Sequence, residues 1–116
     1  MIIDAHVHIG STQYVQMAAD AEMLIGIADD AGFDRLFVTH LTALFYEMRE
    51  RYAFFGADLA RYNDRMIGYA TILTHRMAEA ACSEIRLCLE FYGLIGVKTY
   101  SHPKSSVADT CPTMIC

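Results

Sequence analysis

Lysine is nearly absent from this sequence, with only Lys98 and Lys104, and the nine basic residues are outnumbered by fourteen acidic ones. A net charge of −5 with no basic stripe argues against a nucleic-acid surface. No apolar run approaches the roughly 18 residues that span a bilayer, so no membrane helix is expected. No basic segment or small-residue cleavage site precedes Ile2, so no signal peptide is expected and cytoplasmic residence is the default. Proline occurs only as Pro103 and Pro112, both in a final stretch, Ser101 to Cys116, that shows no usable period and reads as an irregular tail. The four cysteines lack Cys-x-x-Cys spacing, which argues against a structural zinc site of that kind. Cys82 and Cys88 lie almost two turns apart on one helical stretch, too far to bridge, so reduced thiols with two in the core are expected.

What is present is apolar. Hydrophobic residues make up 54% of the chain and the mean hydropathy is +0.24, slightly above the average for a soluble domain. A chain of 116 residues can bury a core of its own. This one has more apolar surface to cover than its size requires, which points to a partner, either further chain or another subunit.

The pattern alternates in period. Met1 to His8 reads as a strand and Gly10 to Ala19 as a polar loop. Asp20 is an N-cap for a helix whose Leu24, Ile27, Ala28 and Ala31 fall at helical spacing, with Gly32 as its stop. Arg35 to Thr39 is a second strand. Phe45 to Tyr62 is helical, with an interruption expected near Gly56, and Ile67 to Thr74 is a third strand. Met77 to Tyr92 is a helix striped by Ala81, Cys82, Ile85, Cys88, Leu89 and Tyr92, and Gly93 ends it. Ile95 to Tyr100 is a fourth strand. Strands alternating with helices imply right-handed crossovers and a parallel sheet, hence an α/β fold. Three and a half units are too few to close an eight-stranded barrel. An open four-stranded sheet with helices on both faces is the alternative. Met17, Met23, Met48, Met66 and Met77 read as core filler.

The chemistry sits in Asp4-Ala5-His6-Val7-His8. The three polar residues share parity, so on a regular strand they project from one face. Two imidazoles so spaced can converge on one divalent ion, and Asp4 suits an orienting role through a histidine's other ring nitrogen. His40, His75 and His102 each follow a proposed strand, at the carboxyl edge where such folds build their sites. Individually each reads first as a loop histidine with a local hydrogen bond. Arg49 and Arg51 read as a solvated helical face with Glu47 and Glu50, with a clamp for a substrate carboxylate as the alternative.

The opening Met1-Ile2-Ile3-Asp4-Ala5-His6-Val7-His8-Ile9-Gly10 resembles the start of the amidohydrolase superfamily, in its amidohydrolase-related branch, which includes decarboxylases of aromatic or unsaturated acids. The resemblance continues through Asp29 to Arg35, Tyr62 to Ala70 and Phe91 to Lys98, so it covers residues 1 to about 100 in order. It implies the first four strands and three helices of a partial (β/α)8 TIM barrel over 1–100, with 101–116 as the tail. It also implies a divalent metal, zinc by expectation, held by His6 and His8 with Asp4 behind them. Further ligands in that family come from a histidine on strand five and an aspartate on strand eight, which this chain does not contain. Lys98 stands near a strand-four lysine that some members carboxylate to bridge two metals. The residue itself reads first as lining the pocket, and His40, His75 and His102 join it as candidate pocket residues.

The expected function is hydrolysis or decarboxylation of a small carboxylate-bearing substrate, with little turnover from so truncated a chain alone. The substrate and either a second copy or a C-terminal half are the partners, and nucleic acid and membrane are not. Two other readings stand beside this one. The chain is a small α/β protein that binds metal or ligand without catalysis, or it is a half-barrel that assembles with a second chain. Histidinol-phosphatase-like phosphoesterases share a similar first strand, but further histidines follow soon after it there, and residues 10–39 contain none.

Overall fold

The structure is a computed structural model, and it describes residues 1–12, 15–42, 48–73 and 78–100. Its elements are β1 (Ile3–Thr12), β2 (Val15–Ala19), α1 (Ala21–Ala31), β3 (Arg35–His40), α2 (Met48–Arg61), β4 (Met66–Leu73), α3 (Ala78–Phe91) and β5 (Gly96–Tyr100). They form one five-stranded sheet in the order β2-β1-β3-β4-β5. Pairing is parallel from β1 through β5, and β2 lies antiparallel on the outer edge of β1.

The local signals explain most of this. Asp20 caps α1 by accepting from the Met23 amide at 2.8 Å, and Gly32 closes it in the left-handed region at φ 76°. Val15–Ala19, expected as loop, is instead the short edge strand β2, attached by backbone pairing at Gly10 with Ala19 and Thr12 with Val15. Gly56 does not interrupt α2. A Cβ there would stand 2.9 Å from Tyr92 Cβ and 3.1 Å from the Tyr92 carbonyl oxygen, so the glycine lets the end of α3 pass close by.

The three helices contribute to one core. Ala21, Leu24 and Ala28 of α1, Tyr52, Phe55 and Leu59 of α2 and Cys88 of α3 pack with Leu36 and Val38 of β3 and Met66 and Ala70 of β4. Strands adjacent in both sequence and space, joined by right-handed crossovers, carry their helices on the same side. The alternative with helices on both faces is therefore not what forms. Ile27 is 55% exposed, because Ala21, Leu24 and Ala28 define the buried stripe and Ile27 falls beside it. Of the methionines expected as filler, Met66 is buried and Met23 is exposed. The side chains of Met17, Met48 and Met77 lie outside the described ones. Cys88 is a free buried thiol that burial pushes up to about 12, whereas Cys82 is disulfide-bonded, against the expectation of reduced thiols. No described helix is long and apolar enough to cross a membrane.

At the far edge of the core, β4 runs past the end of β3. The last pair in register is Thr39 with Tyr69, and His40 ends β3. Thr71 therefore has no β3 partner for its backbone. Tyr52, fully buried, replaces it: its hydroxyl donates to the Thr71 carbonyl at 2.9 Å and accepts from the Thr71 amide at 2.6 Å. Burial raises the phenol well above its ordinary range, so the donor proton stays in place.

Candidate functional site

The sheet face away from the helices carries the polar cluster. His8 stands in register with Thr39, Thr39 with Tyr69, and Thr71 with Lys98, and residues in register share a face. On this face His6 Nε2 and His8 Nε2 lie 2.9 Å apart, and Lys98 Nζ donates to His6 Nε2 at 2.5 Å. His8 Nδ1 meets Thr39 Oγ1 at 2.7 Å. A pocket of about 230 Å³ is lined by Ala5, His6, Phe37, Thr39, Tyr69, Val97 and Lys98. The Phe37 and Tyr69 rings stack at 5.3 Å along its wall.

Asp4 is placed differently from the parity argument. Between Asp4 and Val7 the register with β3 slips by one residue, since Asp4 pairs Leu36 while Val7 pairs Val38. That bulge breaks the alternation, putting Asp4 in register with core-facing Leu36 and leaving His8 in register with Thr39 on the open face. The Asp4 carboxylate accepts from the His6 backbone amide at 3.0 Å. It thus braces the bulge, and the group that orients a ring nitrogen is Thr39, which sequence reading missed.

The site is rich in nitrogen, and no carboxylate lines its pocket among the described residues. His6 Nε2 has a single lone pair and faces both the Lys98 ammonium and His8 Nε2. Burial, then the Lys98 charge, then His6 lower the pKa of His8, which keeps its imidazole neutral near pH 7. Neutral imidazole is the form that ligates a metal ion. In the tautomer in which His8 Nδ1–H donates to Thr39 Oγ1, the Nε2 lone pair points at the space beside His6. The two rings fit a divalent ion as a pair, but no group of three or more His, Cys, Asp or Glu suited to hold one occurs among the described residues.

The other candidates part company. Lys98 joins the cluster. His40 lies on the opposite face of β3, because Thr39 and His40 alternate. It is 8% exposed, edge-on to Phe55, and lines a separate pocket of about 260 Å³ with Gly10, Asp20, Arg51 and Asp58. Burial and the Arg51 charge hold it down at about 4. His75 and His102 lie outside the described residues. Arg49 pairs with Glu84 at 3.5 Å on the helical surface, and Arg51 stands beside His40, so neither reaches the cluster face.

No family model matches the chain. No curated protein matches it either. Among solved structures it is similar to a 5-carboxyvanillate decarboxylase from Novosphingobium aromaticivorans, crystallised with manganese and 3-methoxy-4-hydroxy-5-nitrobenzoic acid. The TM-score is 0.70 at 14% identity, over 98% of this chain and 46% of that one. The chain thus shares its fold with that structure and spans about half its length.

Proposed function

We propose that this chain is the metal-binding first half of a (β/α)8 barrel of the amidohydrolase superfamily, built for decarboxylation or hydrolysis of a small carboxylate-bearing substrate. The observation that supports it most is the convergence of His6 and His8 Nε2 at 2.9 Å on the helix-free face, from which Lys98, now donating to His6 Nε2, has to withdraw for an ion to enter. The shared fold with a manganese-containing decarboxylase supports the same reading. Manganese in that structure widens the expectation from zinc to a divalent ion of either kind.

His6 and His8 would hold the ion, which when bound lowers the pKa of a water or polarises a substrate oxygen. Thr39 holds the His8 ring by its Nδ1. Asp4 fixes the backbone of the bulge that turns His6 inward. The Lys98 ammonium offers a positive charge for a substrate anion on the same face. Two imidazoles fall one short of the three protein ligands usual in catalytic zinc sites. A further ligand has to come from outside the described residues, and this chain alone is expected to turn over little.

Titrating Mn²⁺ and Zn²⁺ into the chain by calorimetry tests this. The expected result is one ion per chain with at least one of the two metals. Loss of about 100-fold in affinity is expected for His6→Ala and for His8→Ala, a magnitude ordinary for disturbing a metal site. Equal affinity in both variants and the parent would remove the reading.

A further inference from the structure

The pocket of about 260 Å³ on the helix side of the sheet takes no part in the reading above. It lies at the carboxyl ends of β1 and β3, where the N-cap of α1 meets one face of α2. Its charges are of both signs and none is paired with another. Arg51 lines it half-buried, and its Nε is shut off from solvent without a hydrogen-bond partner. A buried donor on a charged group is costly to leave unpaired, and native structures seldom keep one without a use. Asp58 stands seven residues on, two turns along the same face of α2 and about 10 Å away by helical rise. None of the ion pairs among the described residues includes Arg51 or Asp58.

The carboxylates lie at the other end of the pocket from the Arg51 and His40 pair. Asp20 spends one oxygen on the Met23 amide. Burial raises the pKa of Asp58 against the Arg61 charge, and the Asp20 charge adds to the rise. His40, held down at about 4, is neutral near pH 7 and contributes no charge. Such a wall selects by charge pattern. A simple anion would meet two carboxylates, and a simple cation would meet Arg51. A molecule with a carboxylate at one end and an ammonium at the other satisfies both. Between the poles Ile9, Ala18 and Ala19 offer aliphatic surface, which suits a short hydrocarbon spacer. The volume is below the roughly 300 Å³ at which drug-sized sites begin, so the ligand is small.

We propose that this second pocket binds a small aliphatic amino carboxylate, its carboxylate on the Arg51 guanidinium and its ammonium against Asp58 and Asp20. The inference goes beyond the metal reading and needs no ion on the cluster face.

The test titrates 4-aminobutyrate and L-alanine separately into the whole chain without metal, followed by amide NMR shifts, with butyrate and butylammonium as probes that carry one charge each. The chain is expected to bind 4-aminobutyrate at least about tenfold tighter than either half-probe, as for one added charge-assisted contact. The largest shifts are expected at the Gly10 and Ala19 amides. L-Alanine binding in its place supports the proposal and assigns adjacent instead of separated charges. Arg51→Gln and Asp58→Asn should each lose about tenfold in affinity. Asp58→Asn removes a desolvated charge at nearly constant shape, so it should melt no lower than the parent, and it decides alone if Arg51→Gln does not fold. Binding of neither amino acid, equal affinity for a half-probe, or parental affinity in a folded variant overturns the proposal. So do shifts centred on Val97 and Lys98, which would put the ligand on the cluster face. Because no metal is present, failure of the metal site and failure of this pocket are read separately.

Discussion

Tyr52→Phe is expected to destabilise the chain by about 2–6 kcal/mol, since it leaves two buried backbone groups unpaired at about 1–3 kcal/mol each. The phenol hydroxyl is what completes β4 where β3 has ended, at 2.9 Å and 2.6 Å from the Thr71 carbonyl and amide. Phenylalanine keeps the packing against the core and removes only the oxygen, so the loss reports the hydrogen bonds and not a cavity. Urea denaturation of the two proteins measures it. A difference below about 0.5 kcal/mol, the size of an unremarkable surface substitution, would mean that water reaches Thr71 and that Tyr52 is packing alone. The same substitution loosens the strand segment that stands opposite Lys98, linking this core bond to the site.

The second large effect is one of pH. An unfolded histidine titrates near 6.5, and in the fold burial first and Arg51 second hold His40 at about 4. The unfolded state therefore takes up the proton more readily. Stability should be full above pH 6.5, fall as the pH drops through the window from 6.5 to about 4, and lose about 3 kcal/mol across it. His8, also lowered, acts in the same sense. His40→Gln, which cannot take up that proton, should flatten most of the slope. A slope as steep in His40→Gln as in the parent would assign the acid sensitivity elsewhere.

Much of the fold was legible because its signals are local. Asp20 and Gly32 mark the ends of α1 by side-chain capping and positive φ, and neither depends on distant residues. The edge strand β2 was not legible. Val15–Ala19 lacks the alternation of a half-buried strand and is held by backbone pairing to Gly10 and Thr12. Gly56 misled for a related reason: its use is the close passage of Tyr92, which is far away in sequence.

The site divides the same way. His6, His8 and Lys98 were named from the sequence, and the structure brings them together. Asp4 was assigned by parity, and a bulge that leaves no trace in the sequence pattern undid the assignment. His40 was placed by its position at a strand end, whereas its face of β3 decides where it points. Thr39 was overlooked because threonine is an ordinary strand residue. It becomes readable only once His8 is known to stand beside it.

The most direct test of the central claim is an NMR titration of the chain with Mn²⁺, following the imidazole resonances of all five histidines. The ion's unpaired electrons broaden signals near it and spare distant ones. The account predicts that His6 and His8 disappear together at substoichiometric Mn²⁺ while His40, on the other face of β3, is the slowest of the described histidines to broaden. Broadening that spares His6 and His8, or that begins at His40, would contradict it.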